Sequence, residues 1–366
     1  MTTPPFRKFP LLFVATLGLL ALITLAPVTT ELARAQDSAT RPPGAEVDET
    51  TNPDSNQQPK TRSRRLRVMG TELVIQVFGT KVEKLETALD AAVEEIQRVE
   101  DLMTDWRPSP LLDLNARAGE GPTQTPLEIV RILRQAKEIH AYTGGAFDPT
   151  YAAVGKLWDF KRVPPQTPTK EQVAAALPFV DASRLVIDLE KRTVAIPAGM
   201  SIGLGGIAKG YGVDRAMAIL LEHGLEHAMV NAGGDLKALG KKNGKLWEIA
   251  IKHPRDAERV IAVIPISNTC VVTSGDYERF FELDGVRYHH ILDPRTGFPS
   301  TGAISATVVA PEAAMADAFA TALCVLGAEK GIPLIEAVPR VEALIVDLDG
   351  EAHSTTGLAG QLREKP

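Results

Sequence analysis

Asp317 and Thr321 stand four residues apart within Met315–Leu326, whose apolar spacing is helical. A carboxylate and a hydroxyl therefore share one helix face, one turn apart. Oxygen ligands of this kind suit Mg2+, which keeps several waters and shares phosphate oxygens; the same pair also reads as a buried hydrogen bond. A second segment, Gly203-Leu204-Gly205-Gly206-Ile207-Ala208-Lys209-Gly210, leads into another helical pattern. Its glycines let backbone approach a phosphate, the helix start offers N–H groups and a positive dipole end, and Lys209 adds a charge one turn in. The spacing fits neither the Walker nor the dinucleotide fingerprint, and the loop alone reads equally well as a tight turn.

Three further clusters combine glycine with polar groups. Thr143-Gly144-Gly145-Ala146-Phe147-Asp148-Pro149 leaves a helix, where glycine capping and an Asp-Pro turn need no function. Asn231-Ala232-Gly233-Gly234-Asp235 ends a strand as a hairpin or bulge would. Thr273-Ser274-Gly275-Asp276-Tyr277 precedes Tyr288-His289-His290-Ile291-Leu292-Asp293-Pro294-Arg295-Thr296-Gly297, which could supply a general base or a phosphate contact. His289 and His290 alternate across a strand, so at most one faces a common site. Neither a Cys/His cluster at zinc spacing nor a Gly-x-Ser-x-Gly elbow occurs, which leaves covalent serine or cysteine hydrolysis without support.

The elements that must position these residues alternate between strand and helix. Strands are expected at Glu72–Phe78, His227–Asn231, Ala303–Val309 and Val341–Asp347, with Trp247–Ile251 and Val260–Ile264 as a pair. Helices are expected at Lys81–Leu102, Pro126–Tyr142, Ile207–His223 and Met315–Leu326, the last ending at Gly327. Leu185–Ile196 reads as a hairpin turning at Glu190-Lys191, and Lys161–Pro178, with Pro164, Pro165 and Pro168, as a surface loop or joint. Antiparallel hairpins mixed with helices indicate α+β rather than a plain Rossmann sheet.

The chain has 366 residues, 44% of them apolar, and a net charge of −6. That mild acidity argues against nonspecific nucleic-acid binding. The one basic run, Arg62, Arg64, Arg65 and Arg67, reads as a solvated flank. At the N-terminus Arg7 and Lys8 precede the apolar run Leu11–Ala26, and Ala33-Arg34-Ala35 fits a cleavage site. The run is shorter than the ~20 residues of a bilayer span, so residues 1–35 are expected to be a cleaved export signal, with an uncleaved membrane anchor as the alternative. Either places the rest of the chain outside the cytoplasm, in the periplasm or on the outer face of the inner membrane. No cysteine adjoins it, so lipid attachment there is not expected. Residues 36–62 are polar and Pro-rich, the composition of a disordered tether, and the folded domain is expected over 63–360. Cys270 and Cys324 lie far apart in apolar stretches, as buried free thiols would.

Taken together the clusters resemble one family. Met69-Gly70-Thr71, Met103-Thr104-Asp105-Trp106, TGGAFDPT at 143–150, GLGGIAKGYGVD at 203–214, NAGGD at 231–235, TSGDYERFFELDG at 273–285, HHILDPRTGFP at 289–299 and ADAFATAL at 316–323 match the ApbE family, the FAD:protein FMN transferases. The resemblance implies a two-lobed, T-fold-related α+β domain of mixed or antiparallel sheets flanked by helices. It implies FAD contacts at Met69, Ala146, Phe147, Asp148, Lys209 and Ile291, and places Trp106 in the slot of an aromatic, commonly Tyr, that stacks on the flavin. It also implies a Mg2+ site made by Asp317, Thr321 and the Gly206 carbonyl.

The implied activity moves FMN from FAD onto a Ser or Thr hydroxyl of an exported flavoprotein, such as a subunit of a membrane redox complex, releasing AMP. His290 is the candidate base; water or Asp276 are alternatives. A Mg2+-dependent FAD pyrophosphatase and a non-catalytic flavin-binding protein are the competing functions. The chain departs from the family in three places. Gly203 stands where an acidic residue is usual, Asp105 replaces a small hydroxyl residue, and the segment after Trp106 (RPSPLLDLN) runs one residue short.

Overall fold

A computed structural model describes residues 59–363; the expected signal at 1–35 and the tether before residue 59 lie outside them. The chain opens with the hairpin β1 (Lys60–Val68) and β2 (Thr71–Gly79). Helices α1 (Val82–Met103) and α2 (Pro110–Ala116), strand β3 (Thr123–Gln124) and helix α3 (Leu127–Tyr142) follow. Short helices α4 (Ala152–Gly155) and α5 (Lys170–Ala176) precede β4 (Val186–Asp188), β5 (Thr193–Ala195) and α6 (Ala208–Glu222). Next come β6 (Ala228–Ala232), β7 (Asp235–Leu239), β8 (Trp247–His253), β9 (Asp256–Ile266) and β10 (Thr269–Gly275). The last elements are β11 (Phe280–Leu283), β12 (Val286–His289), β13 (Ser305–Ala310), α7 (Ala313–Glu336), β14 (Glu342–Val346), β15 (Ala352–Ser354) and α8 (Thr356–Ala359).

Eight strands form one sheet in the order β1-β2-β6-β7-β10-β13-β14-β15, paired antiparallel throughout. Successive side chains point to opposite faces, and both faces are apolar. Leu73, Ile75, Val77, Cys270, Val272, Ala306 and Val308 face the helices. Phe78, Leu236, Val271 and Val346 face the other way and pack with Trp247, Ile251 and Ile264 of the β8–β9 hairpin. The α+β expectation is met: antiparallel sheets flanked by helices. Cys270 and Cys324 are buried free thiols, as expected.

Three local readings are corrected. The arginine run is not a flank but strand β1, which starts at Lys60 inside the segment expected as tether. Arg62 and Arg64 turn toward α1 and pair with Glu86 and Asp90 at 2.7–2.8 Å. Long charged stems cover the helix where an apolar alternation was sought. The proline-rich stretch Lys161–Pro178 contains α5, which begins with a capping box between Thr169 and Gln172. Gly327 does break its helix, with φ 71° and ψ 179°, but helical turns resume to Glu336. That α7 segment is long and apolar enough to cross a membrane by composition, yet more than half of its most apolar window is buried in the fold.

The contact that positions the site is the crossing of α6 over α7. Gly210 and Gly212 of α6 are buried; a Cβ at Gly210 would stand 2.1 Å from the Ala313 carbonyl oxygen. Asp214, one turn on, accepts from the Ala314 N–H at 3.0 Å and so caps α7. We expect Gly210→Ala to destabilise the protein by about 3 kcal/mol, because backbone must move. Gly360→Ala, where a Cβ meets open space, should change stability by no more than about 0.5 kcal/mol. Urea denaturation of both variants checks the contrast.

Candidate active site

Two buried carboxylates and a half-buried ammonium meet where α6, α7 and β7 converge. The Lys209 ammonium lies 2.9 and 3.0 Å from the two Asp317 oxygens and 3.1 Å from Asp235 Oδ2. Both aspartates are 1% exposed. Burial, and then the charge of Asp317, push the Asp235 carboxyl well above the usual range, with Lys209 pulling the other way. Burial alone would lower the lysine, but Asp235 and Asp317 outweigh it and hold its pKa raised. If both carboxylates ionise, one ammonium leaves a negative charge uncompensated.

Asp317 also accepts from the Gly210 N–H at 3.3 Å. The start of α6 therefore does not offer all its N–H groups to a ligand, as the glycine loop alone suggested; this one is spent on the carboxylate. The loop itself closes on α7. A Cβ at Gly206 would lie 3.1 Å from Thr321 Oγ1 and 3.3 Å from Phe147 Cε2, so glycine permits the approach. Asn115 of α2 fixes the loop's entry, accepting from the Ile202 N–H at 2.7 Å and donating to its carbonyl at 2.8 Å. The Gly203 N–H donates to the Pro149 carbonyl at 2.8 Å. The expected set Gly206, Asp317 and Thr321 is thus brought together. Its hard oxygen donors, a carboxylate, a hydroxyl and a backbone carbonyl, are of the kind that fits a divalent cation such as Mg2+.

The two histidines separate as the strand period predicts. His289 is buried and its Nε2 lies 3.0 Å from the Ser300 carbonyl; a carbonyl can only accept, so this nitrogen carries the proton. His290 takes the other side, with its backbone N–H donating to the Arg279 carbonyl at 3.0 Å and its Nδ1 unpartnered. Burial, then the charges of Arg279 and Lys209, push its pKa down to about 4. The alternative base, Asp276, is gripped by Arg255 through two contacts of 2.6 Å, and is no free proton acceptor.

The remaining expected contacts differ in what they can offer. Trp106 is 61% exposed, free to stack on a planar ring. Met69 and Gly70, both at positive φ, form the two-residue turn of the β1–β2 hairpin. The Met69 sulfur turns inward, 3.2 Å from where a Gly212 Cβ would be. Ala146, Phe147 and Ile291 are core residues. The Asp148 side chain is fully committed, accepting from Thr150 N–H, Thr150 hydroxyl and Ala182 N–H at 2.5–3.0 Å. Its side chain is structural here, as an Asp-Pro cap would be.

Sequence reading passed over Asp235 and Asn115. Asp235 stood in NAGGD, which does form the expected hairpin turn, so its carboxylate carried no separate signal. Two surface hollows of 640 and 500 Å3 open elsewhere and share no residue with this site.

The profile of the ApbE family matches residues 69–345. This chain belongs to the ApbE family. It is 34% identical over 320 residues to the FAD:protein FMN transferase of Treponema pallidum, covering 82% of this chain and 88% of that protein. A Klebsiella pneumoniae protein of the same name is 32% identical over 283 residues, 76% of this chain and 87% of its own. Among solved structures, the ApbE protein of Thermotoga maritima aligns with a TM-score of 0.78 and 34% identity, over 83% of this chain and 100% of that one. The apo flavinyl transferase ApbE of Pseudomonas stutzeri aligns at 0.75 and 27%, over 84% and 99%. This ApbE-family chain is a transferase.

Lys209→Met would leave two buried carboxylates facing each other, at a cost of about 3 kcal/mol or more. The Asp235 carboxyl, already held above the usual range, would lose the cation that pulls it down and rise further. The folded form gains protons as pH falls through that raised range, so the penalty should be smaller at pH 5 than at pH 8. Urea unfolding at the two pH values checks this; an equal penalty would contradict the assignment.

Proposed function

We propose that this chain is a Mg2+-dependent FAD:protein FMN transferase, passing FMN from FAD to a Ser or Thr hydroxyl of an exported flavoprotein and releasing AMP. The observation that carries the reading is the buried Lys209–Asp317 pair joined to Thr321 and the Gly206 loop. It is an oxygen-rich, charged cluster in a chain whose named relatives are FAD:protein FMN transferases. Mg2+ held by Asp317, Thr321 and the Gly206 carbonyl would offset charge on the pyrophosphate and on the departing AMP.

The chain's own groups supply the rest. Lys209 holds Asp317 oriented and keeps positive charge beside the phosphates. Trp106 gives the isoalloxazine an exposed face to stack on, with the Met69 turn, Ala146, Phe147, Asp148 and Ile291 as the surrounding segments. The acceptor hydroxyl attacks the FMN-side phosphorus; a phosphoester bond forms, the bond to the AMP oxygen breaks, and the hydroxyl proton passes to His290. A ring with a pKa of about 4 is neutral at pH 7 and can accept it. One of the solved relatives is a histidine-to-glycine variant of the Vibrio cholerae flavin transferase.

The basic residues Arg7 and Lys8, the apolar run Leu11–Ala26 and Ala33-Arg34-Ala35 support action outside the cytoplasm.

Incubation with FAD, Mg2+ and a candidate acceptor, following AMP and the acceptor's intact mass, tests the reading. AMP with an acceptor heavier by one FMN, both lost on chelation and in Asp317→Ala, is expected; AMP with free FMN would make the chain a pyrophosphatase instead. His290→Gly should lower kcat by roughly 10^2–10^4-fold. Because protonation of His290 removes the base, kcat/KM should stay level from pH 6 to 8 and fall only as pH approaches about 4. A limb near 6.5, the ordinary histidine value, would count against His290.

A further inference from the structure

Tyr151 ends the short 3-10 turn Pro149–Tyr151 that Asp148 caps, and three glycines wall its ring. Cβ atoms on Gly155, Gly203 and Gly205 would stand 3.1 Å from its Cε2, its Cε1 and its hydroxyl oxygen respectively. None of the three lies in the left-handed region, so glycine at these positions serves space rather than backbone conformation. The side-chain space of position 203 is occupied by the phenol.

Among the described residues nothing hydrogen-bonds to the hydroxyl. The charges of Asp105, Arg279, Lys209 and Asp317 reach it through space. Burial pushes its pKa up to about 12, so the phenol stays a donor. Arg279, one of the two cations, makes no ion pair among the described residues; its guanidinium reaches only the Gly70 carbonyl, at 3.5 Å. A phenol donor without a described partner, standing against Gly205 next to the Gly206–Thr321 contact, lacks an acceptor such as an anionic oxygen.

We propose that Tyr151 is a substrate-binding residue whose hydroxyl donates a hydrogen bond to a pyrophosphate oxygen of FAD, from the slot that Gly155, Gly203 and Gly205 open. The assignment rests on the transferase reading. It gives the Gly203 departure a physical meaning: a phenol fills that place, where an acidic side chain would add negative charge beside a pyrophosphate.

Tyr151→Phe keeps the ring and its packing while removing the donor. We expect the Kd for FAD to rise about tenfold or more, with kcat/KM falling in step and the thermal midpoint unchanged. Gly203→Ala should weaken FAD binding when Tyr151 is present and do so less in a Tyr151→Ala background, because the Cβ then meets only the Ala152 Cβ and no ring. Unaltered FAD affinity and kcat/KM in Tyr151→Phe, with the parent enzyme active, would overturn the Tyr151 assignment alone. A parent enzyme that neither binds FAD nor releases AMP would overturn both readings.

Discussion

Two carboxylates buried at 1% exposure around one ammonium are expensive to desolvate unless each charge is matched. Much of the architecture here supplies the match. Asp317 can reach Lys209 only because α6 and α7 cross closely, and they cross closely because Gly210 presents backbone to Ala313. Asp235 joins them because the two-glycine turn of the β6–β7 hairpin starts β7 at that residue. The charge cluster and the packing are thus one constraint: loosening the crossing would strand charges, and removing a charge would strain the crossing.

This coupling accounts for what was legible beforehand. The four-residue spacing of Asp317 and Thr321 and the glycine loop are local patterns; the structure puts the first pair on one helix and the loop against α7, though one N–H at the start of α6 is spent on Asp317. Asp235 was illegible because nothing local distinguishes a buried aspartate from a turn aspartate; its partner Lys209 lies in another element, 26 residues away in sequence. Asn115 was hidden likewise, since its two hydrogen bonds are to backbone at Ile202. Strand β1 escaped because arginine stems did the covering, and α5 because three prolines masked a good capping box.

The site also shows how small residues and polar clamps share the task of pre-organisation. Gly206 lets the loop touch α7, while Asn115 and the Pro149 carbonyl hold the loop's start. Phosphoryl transfer asks little covalent chemistry of a protein and much positioning. A loop pinned at its entry and pressed against a helix at its other end meets that demand without relying on flexible side chains. The spent side chain of Asp148 belongs to the same scheme, fixing the turn that carries Tyr151.

One strand has a bearing on the molecule's behaviour among its own copies. β1 is the described edge of the eight-stranded sheet, with its outer N–H and C=O groups unpaired by any described strand. An edge of that length invites pairing with another chain. Here Arg62 and Arg64 occupy one face and Arg65 and Arg67 the other, so two such edges laid side by side would bring like charges together on both faces. The arginines that lock β1 onto α1 also act as a deterrent to fibrillar self-association, a protection that matters most while the newly made chain is crowded and only partly folded.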